Sequence, residues 1–121
     1  MISNSGHDER GQYSGGQAGD QGGEWSNISW YSRPWNCVLR HPEAVVRECI
    51  ASLAEKAAEN DMIGYDQSER YSYWYALQKA DYDPSKIETP CEADCSAGVI
   101  ANVKAAGYLC DVEELAGIKA T

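Results

Sequence analysis

No phenylalanine occurs in this 121-residue sequence, although it holds eight tyrosines and four tryptophans. Its aromatic rings therefore mostly combine an apolar body with a polar handle, which weakly suits a carbohydrate or peptide groove. Positive charge is scarce. Ten Lys and Arg stand against 19 Asp and Glu, giving a formal charge of −9 and a sequence pI near 4.5. No basic run breaks this balance, which argues against a nucleic-acid partner, because phosphate binding relies on clustered Lys and Arg. Also missing is any apolar run of membrane-spanning length, and the opening Met1 to Arg10 has neither a basic nor an apolar signal region. A soluble chain with no membrane span and no export signal is expected. Histidine is nearly absent: His7 and His41 are the only two.

The length suits one domain with one core. Five cysteines, Cys37, Cys49, Cys91, Cys95 and Cys110, cannot all pair within the chain. Without an export signal a reducing compartment is the default, so free thiols are expected and not a disulfide scaffold.

Residues 1–24 are dominated by Gly, Ser, Gln, Asp and Asn and read as a glycine-rich arm or loop. A phosphate cradle there would need a flanking strand and helix, and a P-loop also a lysine. His7 lies in this arm. From Glu24 to His41, Trp25, Ile28, Trp30, Tyr31 and Trp35 alternate irregularly with polar residues around Pro34, predicting two short extended segments with a break between them. The three tryptophans are expected to form a lid over the first helix. That helix is predicted to begin at Pro42, to bury Val46, Ile50, Leu53 and Ala57, and to end at Asn60-Asp61. His41 reads as a boundary residue ahead of it. Asp66 and Glu69 have capping-box spacing for a helix whose stripe of Tyr71, Trp74, Tyr75 and Leu77 packs in the core. Asp111 and Glu114 repeat that spacing for a last short helix ending near Gly117. There is no internal repeat or sustained heptad pattern.

The stretch from Thr89 to Gly107 carries the chemistry. Asp94 has the character of an N-cap, Ser96, Ala97 and Gly98 are small, Val99, Ile100 and Val103 follow at helical spacing, and Gly107 reads as the stop. Cys95 is thereby placed in a first helical turn, where unpaired N–H groups and the helix dipole favour a thiolate and offer donors to an oxyanion. Spacing alone leaves three readings open: a reactive cysteine, a buried structural one, or a metal ligand together with Cys91.

Asp94-Cys-Ser-Ala-Gly-Val99 resembles the signature of NlpC-like hydrolases, a branch of the papain-like cysteine peptidases that cuts bacterial cell-wall peptides. Ile2-Ser-Asn-Ser-Gly-His-Asp-Glu9, Gly19-Asp-Gln21, Arg33-Pro-Trp-Asn-Cys-Val-Leu-Arg40, Ile63-Gly-Tyr-Asp-Gln67 and Cys91 to Lys104 are similar, in the same order, to phage-type endolysins. The resemblance spans nearly the whole chain. It implies an α+β fold: the helix-rich half of a papain-like, NlpC-like cysteine peptidase, with the catalytic cysteine at a helix N-terminus and most of the following sheet missing. Residues 25–121 would be that part of a single, incomplete catalytic domain.

It also implies a peptidoglycan hydrolase that cleaves a stem-peptide amide through a thioester on Cys95, with Asp94 and Ser96 shaping its turn and no cofactor or metal. A Cys91/Cys95 zinc site lacks a second closely spaced ligand pair. The family's catalytic histidine follows the cysteine helix, and no histidine follows Cys95. Three explanations compete: a C-terminal segment or second chain supplies the base, His7 or His41 supplies it in a rearranged order, or activity has been lost. The first is favoured by the abrupt end and by the shortage of strands. Localisation would be cytoplasmic in the producing cell, with action on the wall after release. The alternative is a non-catalytic wall-binding or interaction module in which Trp25, Trp30, Trp35 and Trp74 stack on sugars.

Overall fold

Apolar residues at helical spacing put Val46, Leu53 and Ala57 on one face of α1 (Ala44–Glu59), and all three are buried in the computed structural model. The structure describes residues 1–6, 24–32 and 34–119. Ile50 is only half-buried, at the edge of that face. The helix starts two residues later than Pro42 suggests. Arg47 Nη1 donates to the carbonyl oxygens of His41 and Pro42, at 2.8 Å each, and Glu43 keeps an extended backbone. At the other end Asn60 closes the helix as expected, and its side-chain amide donates to the carbonyls of Pro84 and Ile87 at 2.8 and 2.9 Å.

The expectation of a loop across residues 1–24 is corrected at its beginning. Ile2–Ser5 form a strand, β1, antiparallel to β2 (Trp25–Ile28), with Ile2 opposite Ile28 and Ser5 opposite Trp25. Short polar residues suffice here because the partner strand satisfies the backbone. The pair is fastened to α1 by side chains: Ser3 Oγ donates to the Ala54 carbonyl at 3.0 Å and accepts from Trp25 Nε1 at 2.7 Å. Beyond Ile28 no second extended segment forms among the described residues before α1.

The tryptophan lid is corrected too. Trp25 alone enters the core, meeting Tyr73 edge to face at 5.5 Å, while Trp30 and Trp35 are 59% and 44% exposed.

A second sheet follows, which local sequence pattern does not mark. β3 (Ile63–Tyr65) and β4 (Cys91–Ala93) run parallel, Ile63 opposite Cys91 and Tyr65 opposite Ala93, and α2 (Ser72–Lys79) lies between them in sequence. Every residue of both strands is buried, as expected for a parallel pair covered on both faces. Strands this short, with a glycine in one and a glutamate in the other, lack the β-branched run that would announce them.

Asp66 does not cap α2. Its Oδ1 accepts from the amide and hydroxyl of Ser68 at 2.6 Å, closing a turn, and the helix opens only at Ser72. The buried stripe also differs from the expected one. Tyr73 and Leu77 are buried, whereas Tyr71 and Tyr75 face outward. The Tyr73 hydroxyl donates to Asn102 Oδ1 at 2.7 Å, joining α2 to the next helix, and burial pushes its phenol well above the usual range.

α3 (Cys95–Leu109) follows β4 with only Asp94 between them. Its inward face is built from Ala97, Gly98, Ala101, Asn102, Ala105 and Ala106, so α1 and α2 can approach closely. Gly107 does not stop it. The helix runs two residues further, and a Cβ on Gly107 would come 2.7 Å from the Leu115 carbonyl carbon and nearer still to the Ala116 amide. This glycine therefore seats α4 (Glu113–Ala116) against α3. Asp111 does not cap α4 either: it takes a left-handed backbone at φ 56°, and Val112 precedes the helix without a side-chain cap.

The architecture is mixed helix and strand, with helix predominating. Among the described residues no helix is long and apolar enough to cross a membrane.

Candidate functional site

The start of α3 is fixed by a four-residue network. Asp94 keeps an extended backbone, and its Oδ1 accepts from the Ala97 amide at 2.7 Å and from the Ser96 hydroxyl at 2.9 Å. Its second oxygen, Oδ2, accepts from Arg70 Nε at 2.6 Å, while Arg70 Nη2 donates to Ser96 Oγ at 3.1 Å. Partial burial pushes the Asp94 carboxyl up, but the Ala97 amide, the Ser96 hydroxyl and the Arg70 guanidinium together outweigh it. The group is held below its ordinary range and stays ionised near neutrality.

Cys95 is the first residue of the helix and is exposed, as is Ser96. Behind them Ala97 and Gly98 are buried, and the Trp25 ring lies so close that a Cβ on Gly98 would sit 3.0 Å from it. The glycine thus lets Trp25 pack under the turn that presents the thiol. Of the first-turn amides, that of Ala97 is already taken by Asp94, so an incoming oxyanion would have to be met by Cys95 and Ser96.

The neighbouring strand ends support this corner from below. Tyr65 lies opposite Ala93, and the next residue, Asp66, donates its amide to the Ala93 carbonyl at 3.4 Å. Glu24 is buried, and its carboxylate accepts from the Tyr65 amide at 2.6 Å, which ties the start of β2 to the end of β3. Arg70, Asp66 and Glu24 are absent from the sequence-based reading of the site. Their partners lie 24, 27 and 41 residues away, so no local spacing marks them.

The structure does not bring His41 to Cys95. His41 borders a groove with Cys110, Asp111 and Glu113, at the C-terminal end of α3. Cys95 occupies the opposite end of that 15-residue helix, on the order of 20 Å away at 1.5 Å per residue. The His41 Nδ1 accepts from the Glu43 amide at 3.2 Å. His7 lies outside the described residues.

Cys91 and Cys95 occupy different environments. Cys91 is buried in β4, and burial, with the Glu92 charge adding to it, pushes its thiol up to about 12, opposite to what a thiolate ligand requires. Among the described residues no group of three or more His, Cys, Asp or Glu is arranged to hold a metal ion.

A family model described as an endolysin-like domain matches residues 2–121. Neither a curated protein nor a solved structure matches the chain.

Proposed function

Given that the chain belongs to the endolysin-like domain family, which carries a cell-wall lytic role, we propose that it cleaves a stem-peptide amide of peptidoglycan with Cys95 as nucleophile. The observation that carries this reading is the exposed Cys95 thiol at the first position of α3, whose start is fixed by the Asp94, Ser96 and Arg70 network.

The Cys95 sulfur attacks the carbonyl carbon, and the oxyanion is met by first-turn amides. A proton passes to the leaving amine as the C–N bond breaks, and water then hydrolyses the thioester to release acid and thiol. We leave His41, which borders the far end of α3, out of this scheme. The proton is taken by His7 or by a histidine outside residues 1–121, on a following segment or a second chain. We read the two sheets and four α-helices of the described residues as the helix-rich half of a papain-like, NlpC-like fold, with Cys95 where such folds place their nucleophile. The chemistry uses no cofactor. The enzyme would remain in the producing cell's cytoplasm and act on the wall after release.

Cys95→Ala, made in the lysin as it is produced, should abolish clearing of purified cell walls while leaving the circular dichroism spectrum unchanged. Undiminished clearing by that variant overturns the assignment.

A second reading, a wall-binding module without catalysis, draws on Trp30 and Trp35. Both are exposed, with ring centroids 5.9 Å apart, and Tyr31 lies 5.8 Å from Trp35. It predicts that the protein sediments with walls equally well before and after thiol alkylation, and that Trp30→Ala weakens sedimentation.

A further inference from the structure

The chain is acidic by nine charges, yet one crease beside the candidate site contains only cations and neutral groups. It lies between α2 and α3, has a volume of about 70 Å³, and is lined by Arg70, Tyr71, Trp74, Ile100 and Lys104 with no Asp or Glu. Four other grooves on the described surface all carry acidic residues.

The two cations differ in what they are free to do. Arg70 is occupied by Asp94 and Ser96. Lys104 holds its Nζ 4.7 Å from the Trp74 ring centre. Among the described residues no carboxylate pairs with it. Trp74 is itself stacked with Tyr82 and Tyr108, at 6.0 and 6.3 Å, so the ring beneath the ammonium is clamped in place.

We propose that this crease is a subsite for a free carboxylate of the peptide substrate, with Lys104 as the residue that selects it. The inference rests on Cys95 being the nucleophile, because it places the carboxylate relative to that atom. Nine steps of α3 carry the chain from Cys95 to Lys104, about 13 Å of helix rise, and put the two about half a turn apart around the helix. An extended peptide advances roughly 3.4 Å per residue, so the selected carboxylate lies about four residues from the scissile bond. Arg70 joins the two ends of this path, since it lines the crease and also holds the residues on either side of Cys95.

The test is calorimetric titration of the Cys95→Ala protein, which cannot cleave, with the peptidoglycan stem tetrapeptide carrying free carboxylates and with the same peptide amidated. The free form should bind about tenfold tighter or more, as a charge-assisted contact in a partly enclosed site does. Adding Lys104→Met, which keeps the aliphatic stem over Trp74, should erase the difference, and Lys104→Arg should retain it. Equal binding of the two peptides, binding of neither, or discrimination that survives Lys104→Met overturns the subsite. Hydrolysis is measured separately with Cys95 intact. Discrimination by this protein, with no wall hydrolysis even by the lysin as it is produced, would leave the subsite standing and remove the hydrolase reading.

Discussion

Arg70 Nε lies 2.6 Å from Asp94 Oδ2, so the residue that caps the Cys95 helix is itself held by a cation from the loop before α2. With side-chain exposures of 27% and 14%, the pair is partly withdrawn from water and is screened less than a surface pair.

Stability should therefore depend on the charge of Asp94. Its carboxyl is depressed in the folded state, so its contribution is present above the unfolded value near 3.9 and is lost as pH falls through the lower folded value. Asp94→Asn keeps a side-chain oxygen able to cap but carries no charge. Urea unfolding midpoints measured from pH 6 down to pH 3, the range chosen to bracket about 3.9, should fall less steeply for Asp94→Asn than for the parent. Part of the slope should persist, because Asp83, held down chiefly by the Ser85 hydroxyl, titrates in the same direction. Asp94→Ala, which also loses the cap, should cost about 1–2 kcal/mol near neutrality. Identical pH slopes for the parent and Asp94→Asn would show that the carboxylate is not differentially stabilised.

Gly107→Ala should be destabilising although alanine is the better helix former. Ala gains about 1 kcal/mol over Gly in a helix interior. The added methyl would enter the backbone of Leu115 and Ala116, which cannot swing aside as a side chain can. Overpacking of this kind costs about 1–3 kcal/mol, and here the obstacle is main chain, so the upper end is expected. Denaturant titration should show the loss, with hydrogen exchange rising first in the amides of α4. A stabilised variant would mean that α4 is not seated on α3 in solution.

Thiol reactivity should rank the cysteines by environment. Cys37 and Cys95 are exposed, whereas Cys91 is buried and its thiol is pushed up to about 12. Cys49 is pushed up to about 11, first by burial and then by its contact with Cys110. Iodoacetamide near pH 7.5 should modify Cys37 and Cys95 first, at a pH about one unit below the usual thiol value of 8.5. Cys91 should react only in denaturant, as followed by peptide mass mapping. Native-state labelling of Cys91 as fast as Cys95 would contradict the buried placement of β4.

The sequence by itself determined what depends on neighbours a few residues apart. The buried face of α1, its end at Asn60 and the placement of Asp94 before Cys95 all follow from i, i+3 and i+4 spacing and from cap chemistry. The family resemblance was legible for the same reason, because its matching segments are contiguous. Only the tertiary structure decided the rest. Asp66 offers its carboxylate to Ser68 instead of a helix, Gly107 makes room for α4 instead of ending α3, and Ile2–Ser5 form a strand because Trp25–Ile28 lies beside them. Arg70 reaches Asp94 across 24 residues and His41 lies at the far end of α3 from Cys95. A carboxylate, a glycine or a histidine has several partners of similar strength, and packing at long sequence separation chooses among them.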